Sequence, residues 1–150
     1  MNQYLLVLIA FAFSMQSFTG PKKDLKERVE AFLELSLSVS EDSDKEIQRI
    51  KTFLEPSIDQ DHSAILLYQM WRQELASYGK QDKKVQKIVF LNKDEMAFVD
   101  ISLARNIPRK GAKKKGAVDK EFFTMKATWI KVDGQWVQRT KMLAREAAEQ

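Results

Sequence analysis

The pattern of hydrophobic and polar positions divides the chain into an apolar N-terminal run, three helical segments and two strand hairpins. In the first helical segment, apolar residues recur at helical spacing between Leu25 and Leu37, so they share one face of the helix. Asp24 is its expected N-cap. The single apolar stripe predicts that this helix packs against a sheet.

A second helix is predicted after the polar run at residues 40–44. Ser43 and Glu46 have the spacing of a capping box, and apolar positions continue at helical spacing to Leu54. Pro56 ends the helix, because the residue before a proline is forced out of helical geometry. The segment between this helix and the next shows no strand pattern.

A third helix is predicted from about Asp61, its expected cap, to Tyr78, and Gly79 is its C-terminal stop. Its apolar face is unusually aromatic, with Tyr68 and Trp71 among its members. These aromatic side chains are expected to face the sheet.

The first hairpin is predicted from Val85 to Ala104, with turn residues at positions 92–95. Its second strand alternates, so one face is expected to cover the core while the other combines apolar and polar residues. The core face consists of Ala97, Val99, Ile101 and Leu103, and the opposite face consists of Met96, Phe98, Asp100 and Ser102.

The second hairpin is centred on Asp133 and Gly134, the residue pair favoured by a two-residue type I′ turn. That turn fixes the register of the two strands and therefore their faces. The predicted pairs are Val132 with Gln135, Ile130 with Val137, Lys131 with Trp136, Trp129 with Gln138 and Met125 with Met142. The expected inner face contains Phe123, Met125, Ala127 and Trp129.

These elements predict a single α+β domain with three N-terminal helices packed on an antiparallel sheet of about four strands. A chain of 150 residues has the length of about one domain. Its 25 Lys and Arg against 21 Asp and Glu give a net charge of +4, which is compatible with an anionic partner without requiring one. The absence of cysteine excludes disulfides, thiol catalysis and cysteine-ligated zinc.

The apolar run from Tyr4 to Met15, followed by small and polar residues, looks like a secretory signal peptide. It is shorter than the ~20 apolar residues that a membrane span needs. We therefore expect a signal peptide at residues 1–20, cleaved between residues 14 and 20, a single domain at residues 21–143 and a polar tail at residues 144–150. An uncleaved membrane anchor and an ordinary buried helix are the alternatives. The leader predicts export to the periplasm or the extracellular space.

The leader, the amphipathic first helix, the string DEMAFVDISL and the closing string WIKVDGQWV together resemble the small secreted members of the nuclear transport factor 2-like (cystatin-like) superfamily. The resemblance covers about Asp24 to Met142. It implies a strongly curved sheet wrapped around the first helix, which forms a cone whose open end can hold a ligand. The lack of a strand pattern between the second and third helices departs from the larger members of the superfamily.

Aromatic side chains are expected to meet where the third helix faces the second hairpin, and they are Tyr68, Trp71, Trp129 and Trp136. Two interpretations are open: a filled core, or a pocket of a few hundred cubic ångströms with polar atoms at its mouth. In the second interpretation, the candidate binding residues for a small apolar ligand are Tyr68, Trp71, Met125 and Trp129.

Candidate catalytic and metal-binding residues are sparse. His62, the only histidine, lies beside Asp61 in a predicted first helical turn, and a capped, solvated helix start explains both better than a metal site does. Asp100 is the only carboxylate at a predicted mid-strand position, and the resemblance would make it a base like that of ketosteroid isomerase. Alternation points Asp100 outward instead. No catalytic residue, metal or cofactor is therefore assigned.

The loop between the hairpins is rich in basic residues and contains two glycines. A flexible, solvated connection explains it, and contact with an anionic surface, such as lipid headgroups, an envelope polymer or an acidic protein, is the alternative. Nucleic acid is not an expected partner, because no aromatic residues are interleaved for stacking. The candidate contact residues are Arg109, Lys110, Lys113, Lys114 and Lys115.

The outer face of the sheet is expected to carry an apolar patch made of Met96, Phe98, Ile130, Val132 and Val137. Exposed apolar patches are commonly covered by a partner. Because sheet-face dimers occur in the superfamily that the chain resembles, a homodimer through this face is expected.

The sequence predicts an exported, non-catalytic accessory domain that binds a ligand or a protein. The alternative is a small enzyme, isomerase-like or dehydratase-like, that uses the cone cavity as its active site. A cavity lined by Trp129 and Tyr68 that holds an ionisable group of perturbed pKa favours the enzyme. A solid core with an apolar patch outside favours the interaction protein.

Overall fold

The computed structural model describes residues 20–109, 111, 113, 116 and 118–140. Residues 1–19 of the expected signal peptide, Met142 and the polar tail lie outside this description. The elements are α1 (Pro21–Ser38), α2 (Ser43–Lys51), α3 (Gln60–Tyr78), β1 (Asp82–Leu91), β2 (Met96–Pro108), β3 (Val118–Val132) and β4 (Gln135–Gln138). The strands form one antiparallel sheet in the order β1-β2-β3-β4. The predicted α+β architecture of three helices on a four-stranded antiparallel sheet is confirmed.

Two of the helix starts differ from prediction because the cap lies further toward the N-terminus. α1 begins at Pro21 with Gly20 as its N-cap, so Asp24 lies in the first turn and the prediction of Asp24 as cap is wrong. Proline suits the first helical position because its missing N–H would be unpaired there anyway. α3 begins at Gln60 with Asp59 in the cap position, so Asp61 is likewise a first-turn residue.

The predicted capping box of Ser43 and Glu46 does not cap α2. Asp42 is the N-cap, and its carboxylate accepts a hydrogen bond from the Lys45 backbone N–H at 3.2 Å. Glu46 is 2% exposed, and its carboxylate accepts from the Ser40 hydroxyl at 3.3 Å and from Arg49 at 3.2 Å. Its carboxylate thus joins the turn before α2 to the helix itself.

The core lies between the helices and one face of the sheet. α1 contributes Leu25, Val29, Phe32 and Leu33, and the sheet contributes Ala97, Val99, Ile101 and Trp129. The Phe32 ring lies at its centre, 5.1 Å from the Trp71 ring and 5.6 Å from the Trp129 ring between centroids. The apolar stripe of the first helix therefore covers the sheet as predicted.

The Asp133–Gly134 turn sets the register of the second hairpin. Both residues have positive φ, 50° at Asp133 and 78° at Gly134, as a type I′ turn requires. The four predicted pairs that fall within the described residues are confirmed, and the fifth involves Met142. β3 pairs with β2 so that Trp129 lies opposite Ala97 and Met125 opposite Ile101, which places the four predicted inner residues of β3 on one face. Of these four, Trp129 is buried, while Phe123 and Met125 are 39% and 38% exposed.

β1 begins at Asp82, earlier than predicted, and it is interrupted by a bulge. Val85 pairs with Ile101 and Lys87 pairs with Asp100, so Gln86 is an extra residue without a partner on β2. Lys83 lies opposite Leu103 on the inner face.

A single bridge connects the segment after α2 to the edge of the sheet. Leu54 and Gln138 form a parallel bridge, in which Glu55 N donates to the Gln138 carbonyl at 2.8 Å and Gln138 N donates to the Phe53 carbonyl at 2.7 Å. The segment without a strand pattern thus supplies one bridging residue next to β4. No helix in the described part of the chain is long and apolar enough to cross a membrane.

Candidate functional site

A cavity of about 330 Å³ lies between α1, α3 and the inner face of the sheet. Its apolar walls include Phe32 from α1, Leu67 and Trp71 from α3, and Ile101 and Trp129 from the sheet. Pockets for small molecules start at about 300 Å³, so the volume lies at the lower end of that range. Four other hollows in the described part of the structure, of about 370 to 470 Å³, are larger but more open to solvent.

The structure brings three of the four predicted ligand-binding residues to this cavity. Trp71, Met125 and Trp129 line it. Trp71 and Trp129 are buried, while Met125 is 38% exposed and therefore lies at the open end. The space between the third helix and the second hairpin is thus partly open rather than completely filled.

Tyr68 does not line the cavity. Its hydroxyl donates a hydrogen bond to the Ser40 carbonyl at 2.9 Å, which turns the ring toward the connection between α1 and α2. Trp136, the fourth member of the expected aromatic cluster, packs against Phe90 with ring centroids 6.0 Å apart. The cluster is therefore divided between the cavity wall and two other contacts.

Lys83 is the polar group of the cavity that the sequence analysis missed. Its side chain is 3% exposed and lines the cavity. The ammonium lies 3.1 Å from the Ser36 hydroxyl and 3.4 Å from a carboxylate oxygen of Glu74. The available signal was the two-residue spacing between Lys83 and Val85, which places both on the same face of a strand.

Burial lowers the pKa of the Lys83 ammonium, and the charge and hydrogen bond of Glu74 only partly oppose that effect. Desolvation penalises the charged form of an amine, so the direction follows from the position in the cavity wall. The same Glu74 oxygen lies 3.5 Å from the amide nitrogen of Gln81. Lys83 and Glu74 form an ion pair of no net charge at the cavity.

Two further polar atoms belong to residues that line the cavity. Trp129 Nε1 and Gln138 Oε1 are buried, and neither has a hydrogen-bond partner in the described part of the structure. The two residues are directly paired across β3 and β4. A buried polar atom without a partner costs roughly 1–3 kcal/mol of desolvation free energy, so both atoms are candidates for contact with a bound molecule.

The two residues weighed for chemistry lie away from the cavity. Asp100 is on the outer face, paired with Lys87 on one side and Lys126 on the other. His62 is exposed in the first turn of α3. Among the described residues, no three His, Cys, Asp or Glu side chains are grouped to hold a metal ion.

The outer face of the sheet carries an apolar patch that differs in membership from the predicted one. Phe98 is 48% exposed, and Met96, Ile130 and Val132 are partly buried. Val137 is 4% exposed, so it adds almost nothing to the accessible surface. Val89 and Leu91 of β1, at 41% and 37% exposure, pair with Phe98 and Met96 and extend the surface. We call Val89, Leu91, Met96, Phe98 and Ile130 the outer patch.

Arg109 of the basic loop is held by an intramolecular ion pair. Its Nε and Nη2 donate to one carboxylate oxygen of Asp119 at 3.0 and 2.7 Å. This hydrogen bonding lowers the pKa of the Asp119 carboxyl and raises that of the Arg109 guanidinium. Lys113 is exposed, and Lys110, Lys114 and Lys115 lie outside the described residues. Contact of this loop with an anionic surface stays a prediction.

No protein-family model matches the sequence, and neither does any curated protein. Solved structures with a similar backbone include a protein named Rd1NTF2_05 with five substitutions, at 12% identity and a TM-score of 0.48, covering 77% of this chain and 96% of that one. A phenazine biosynthesis-related protein from Pseudomonas aeruginosa matches at 12% identity and a TM-score of 0.42, covering 81% and 82%. A candidate polyketide cyclase from Xanthomonas campestris pv. campestris matches at 12% identity and a TM-score of 0.36, covering 81% of this chain and 96% of that one. At this identity the likeness concerns the fold alone.

Proposed function

We propose that the protein is an exported accessory domain that binds a small, mainly apolar molecule in the cavity between α1, α3 and the sheet. The observation that carries this proposal is the cavity itself, about 330 Å³ with Trp71 and Trp129 in its walls. Export rests on the signal-peptide pattern at residues 1–20.

Aromatic walls favour a ligand with flat or bulky apolar groups. Release of water from apolar surface contributes roughly 25 cal/mol per Å² of apolar area that is buried. Aromatic pairs add further stabilisation when their rings meet edge to face or offset. Met70 and Met125, both partly exposed, line the open end and supply flexible apolar contacts.

The test is a fluorescence titration with N-phenyl-1-naphthylamine, a neutral apolar probe whose emission rises in an apolar site. We expect Ala127→Leu, which adds bulk inside the cavity, to weaken probe binding at least tenfold. Ala76→Leu adds the same bulk on the exposed surface of α3 and should leave binding unchanged. Equal affinity of both variants for the probe would show that the cavity is not the binding site.

A small enzyme that uses the cavity as its active site is the second candidate. Lys83 favours it, because a buried amine of lowered pKa next to the Glu74 carboxylate can exchange a proton with a bound molecule. The sequence-based criterion for an enzyme is a cavity lined by Trp129 and Tyr68 that holds an ionisable group of perturbed pKa. The cavity is lined by Trp129 and contains such a group, Lys83, but Tyr68 does not line it.

Proton transfer is testable with 2-tetralone, a ketone whose α-protons exchange slowly with deuterated water. An enzyme would accelerate the exchange measured by NMR, and Lys83→Met would abolish the acceleration. Lys84→Met, which removes an exposed amine from the neighbouring position of β1, is the matched control. Exchange at the rate of buffer with the wild-type protein would leave the binding domain as the sole candidate.

We also propose a homodimer through the outer patch. Beside the apolar residues, Lys87, Asp100 and Lys126 form a row across three adjacent strands on the same face. In a two-fold arrangement offset by one strand, the Asp100 carboxylate of each copy can face a lysine of the other.

A further inference from the structure

We infer that the cavity selects an uncharged ligand whose polar end places a hydrogen-bond acceptor beside a donor, as a carboxamide or lactam does. The inference rests on the proposed function, because it names the ligand class of the same cavity. Its basis is the pair of unpartnered polar atoms on Trp129 and Gln138.

The Trp129 indole is the fixed member of this pair. The residue is 0% exposed, and its ring is held in contact with Phe32. Its Nε1–H can only donate, so the matching ligand atom must be an acceptor such as a carbonyl oxygen. No acceptor for Nε1 occurs in the described part of the structure.

Gln138 supplies the complementary group. It lies directly opposite Trp129 in the β3–β4 ladder, and the Cβ atoms of such a pair are about 5 Å apart. Its Oε1 is buried and accepts no hydrogen bond from the described residues, so it calls for a donor on the ligand. An N–H next to a carbonyl meets both requirements within one functional group.

The charges around the cavity disfavour a carboxylate in the same place. Lys83 is already balanced by Glu74 and bonded to Ser36, so its charge is not available without breaking that pair. A ligand carboxylate would also place an acceptor oxygen next to Gln138 Oε1, which is itself an acceptor, so no hydrogen bond could form between them. Lys126 is also among the residues around the cavity, but it belongs to the outer face of the sheet and is exposed, so solvent screens its charge.

The experiment compares three probes with the same naphthalene body: 2-naphthamide, 2-naphthoate and 2-ethylnaphthalene. Each competes with N-phenyl-1-naphthylamine for the full chain at pH 7, and fluorescence reports displacement. We expect 2-naphthamide to bind at least tenfold more tightly than either of the others. Trp129→Phe, which keeps an aromatic ring but removes the indole N–H, should abolish the preference for the amide, so that 2-naphthamide and 2-ethylnaphthalene bind the variant with equal affinity.

Trp136→Phe is the matched control. Trp136 Nε1 is also buried without a partner in the described residues, but Trp136 does not line the cavity. Its substitution should therefore leave the preference for the amide intact. If Trp129→Phe fails to give the wild-type circular dichroism spectrum, Gln138→Met tests the same group from the β4 side, again with loss of at least tenfold in amide affinity.

The outcomes separate the two proposals. Equal binding of the three probes, or tightest binding of 2-naphthoate, overturns the ligand class but leaves the binding cavity in place. Binding of N-phenyl-1-naphthylamine without displacement by 2-naphthamide overturns the ligand class as well. Failure of N-phenyl-1-naphthylamine itself to bind the wild-type chain removes the proposed function.

Discussion

At the scale of the residue, Lys83 is the least ordinary side chain of the described structure. Lysine is seldom buried unless it is paired, and here the partner is Glu74 at 3.4 Å. The Ser36 hydroxyl gives the ammonium a second contact, at 3.1 Å. The neighbouring Lys84 on the same strand is exposed, which shows that the strand position rather than the residue type determines burial.

The lowered pKa of Lys83 predicts a pH dependence of stability. In the folded protein the pKa lies below the ordinary value of 10.5, so between these two values the unfolded chain binds more protons than the folded one. The free energy of unfolding contributed by Lys83 therefore rises with pH within that window. Urea denaturation of the wild type and of Lys83→Met at several pH values should show the wild type gaining stability relative to the variant as pH rises toward 10.5.

Lys84→Met provides the reference for that measurement, because it removes an exposed amine from the neighbouring position of β1. A difference between wild type and Lys83→Met that stays constant over the window, or that falls as pH rises, would contradict the assigned burial of the ammonium.

At the scale of the element, the sequence predicted those features that depend on residues close together in the chain and missed one that depends on pairing with a distant strand. The Asp133–Gly134 turn fixed the register of its hairpin because only a few residues tolerate positive φ, and the pairing followed. The cap of α2 was misplaced because Asp42 and Ser43 are both good caps and the sequence offers no way to choose between them. Lys83 was missed because its inward direction depends on pairing with β2, which is a long-range contact.

The second turn residue offers a test of the register. Gly134 has φ of 78° and open space where a Cβ would be, so Gly134→Ala should cost about 1 kcal/mol through the backbone alone. Gly134→Asn should cost less, because asparagine tolerates the left-handed region better than alanine does. Urea denaturation measures both. Equal stability of the alanine variant and the wild type would argue against the type I′ turn.

Phe32 makes α1 the centre of the core, and its removal should be costly. Phe32→Ala deletes a ring that is 6% exposed and contacts Trp71 and Trp129, so we expect a loss of about 3–5 kcal/mol in the free energy of unfolding. Ile58→Ala, at a residue that is 98% exposed, should change stability by less than about 0.5 kcal/mol. Similar losses in both variants would mean that Phe32 does not hold the core together.

At the scale of the whole molecule, the inner and outer faces of the sheet have different roles. The inner face covers α1 and borders the cavity, and its alternation was readable because Ala97, Val99, Ile101 and Leu103 are all apolar. The cavity could not be predicted from the sequence, because hydrophobic patterns identify which side chains face inward but not whether those side chains fill the interior. The outer patch has no covering element among the described residues of the chain.

The proposed homodimer can be tested by sedimentation equilibrium. Phe98 is 48% exposed at the centre of the outer patch, so Phe98→Lys should convert a dimer to a monomer at tens of micromolar protein. Val118→Lys introduces the same charge at a residue that is 53% exposed but outside the patch, and it should remain dimeric. A wild-type protein that is monomeric at high micromolar concentration rules the dimer out.

Gln86, which has no partner on β2, reverses the inward and outward alternation of side chains within β1. Counted back from Ile88 with strict alternation, the inward positions would be Gln86, Lys84 and Asp82, and Lys83 with Val85 would face solvent. One inserted residue exchanges these two sets, so that a single lysine enters the interior where an acid and a lysine would otherwise have been. The side chains of the cavity wall therefore depend on the number of residues between two β1–β2 pairs as much as on the identity of those residues.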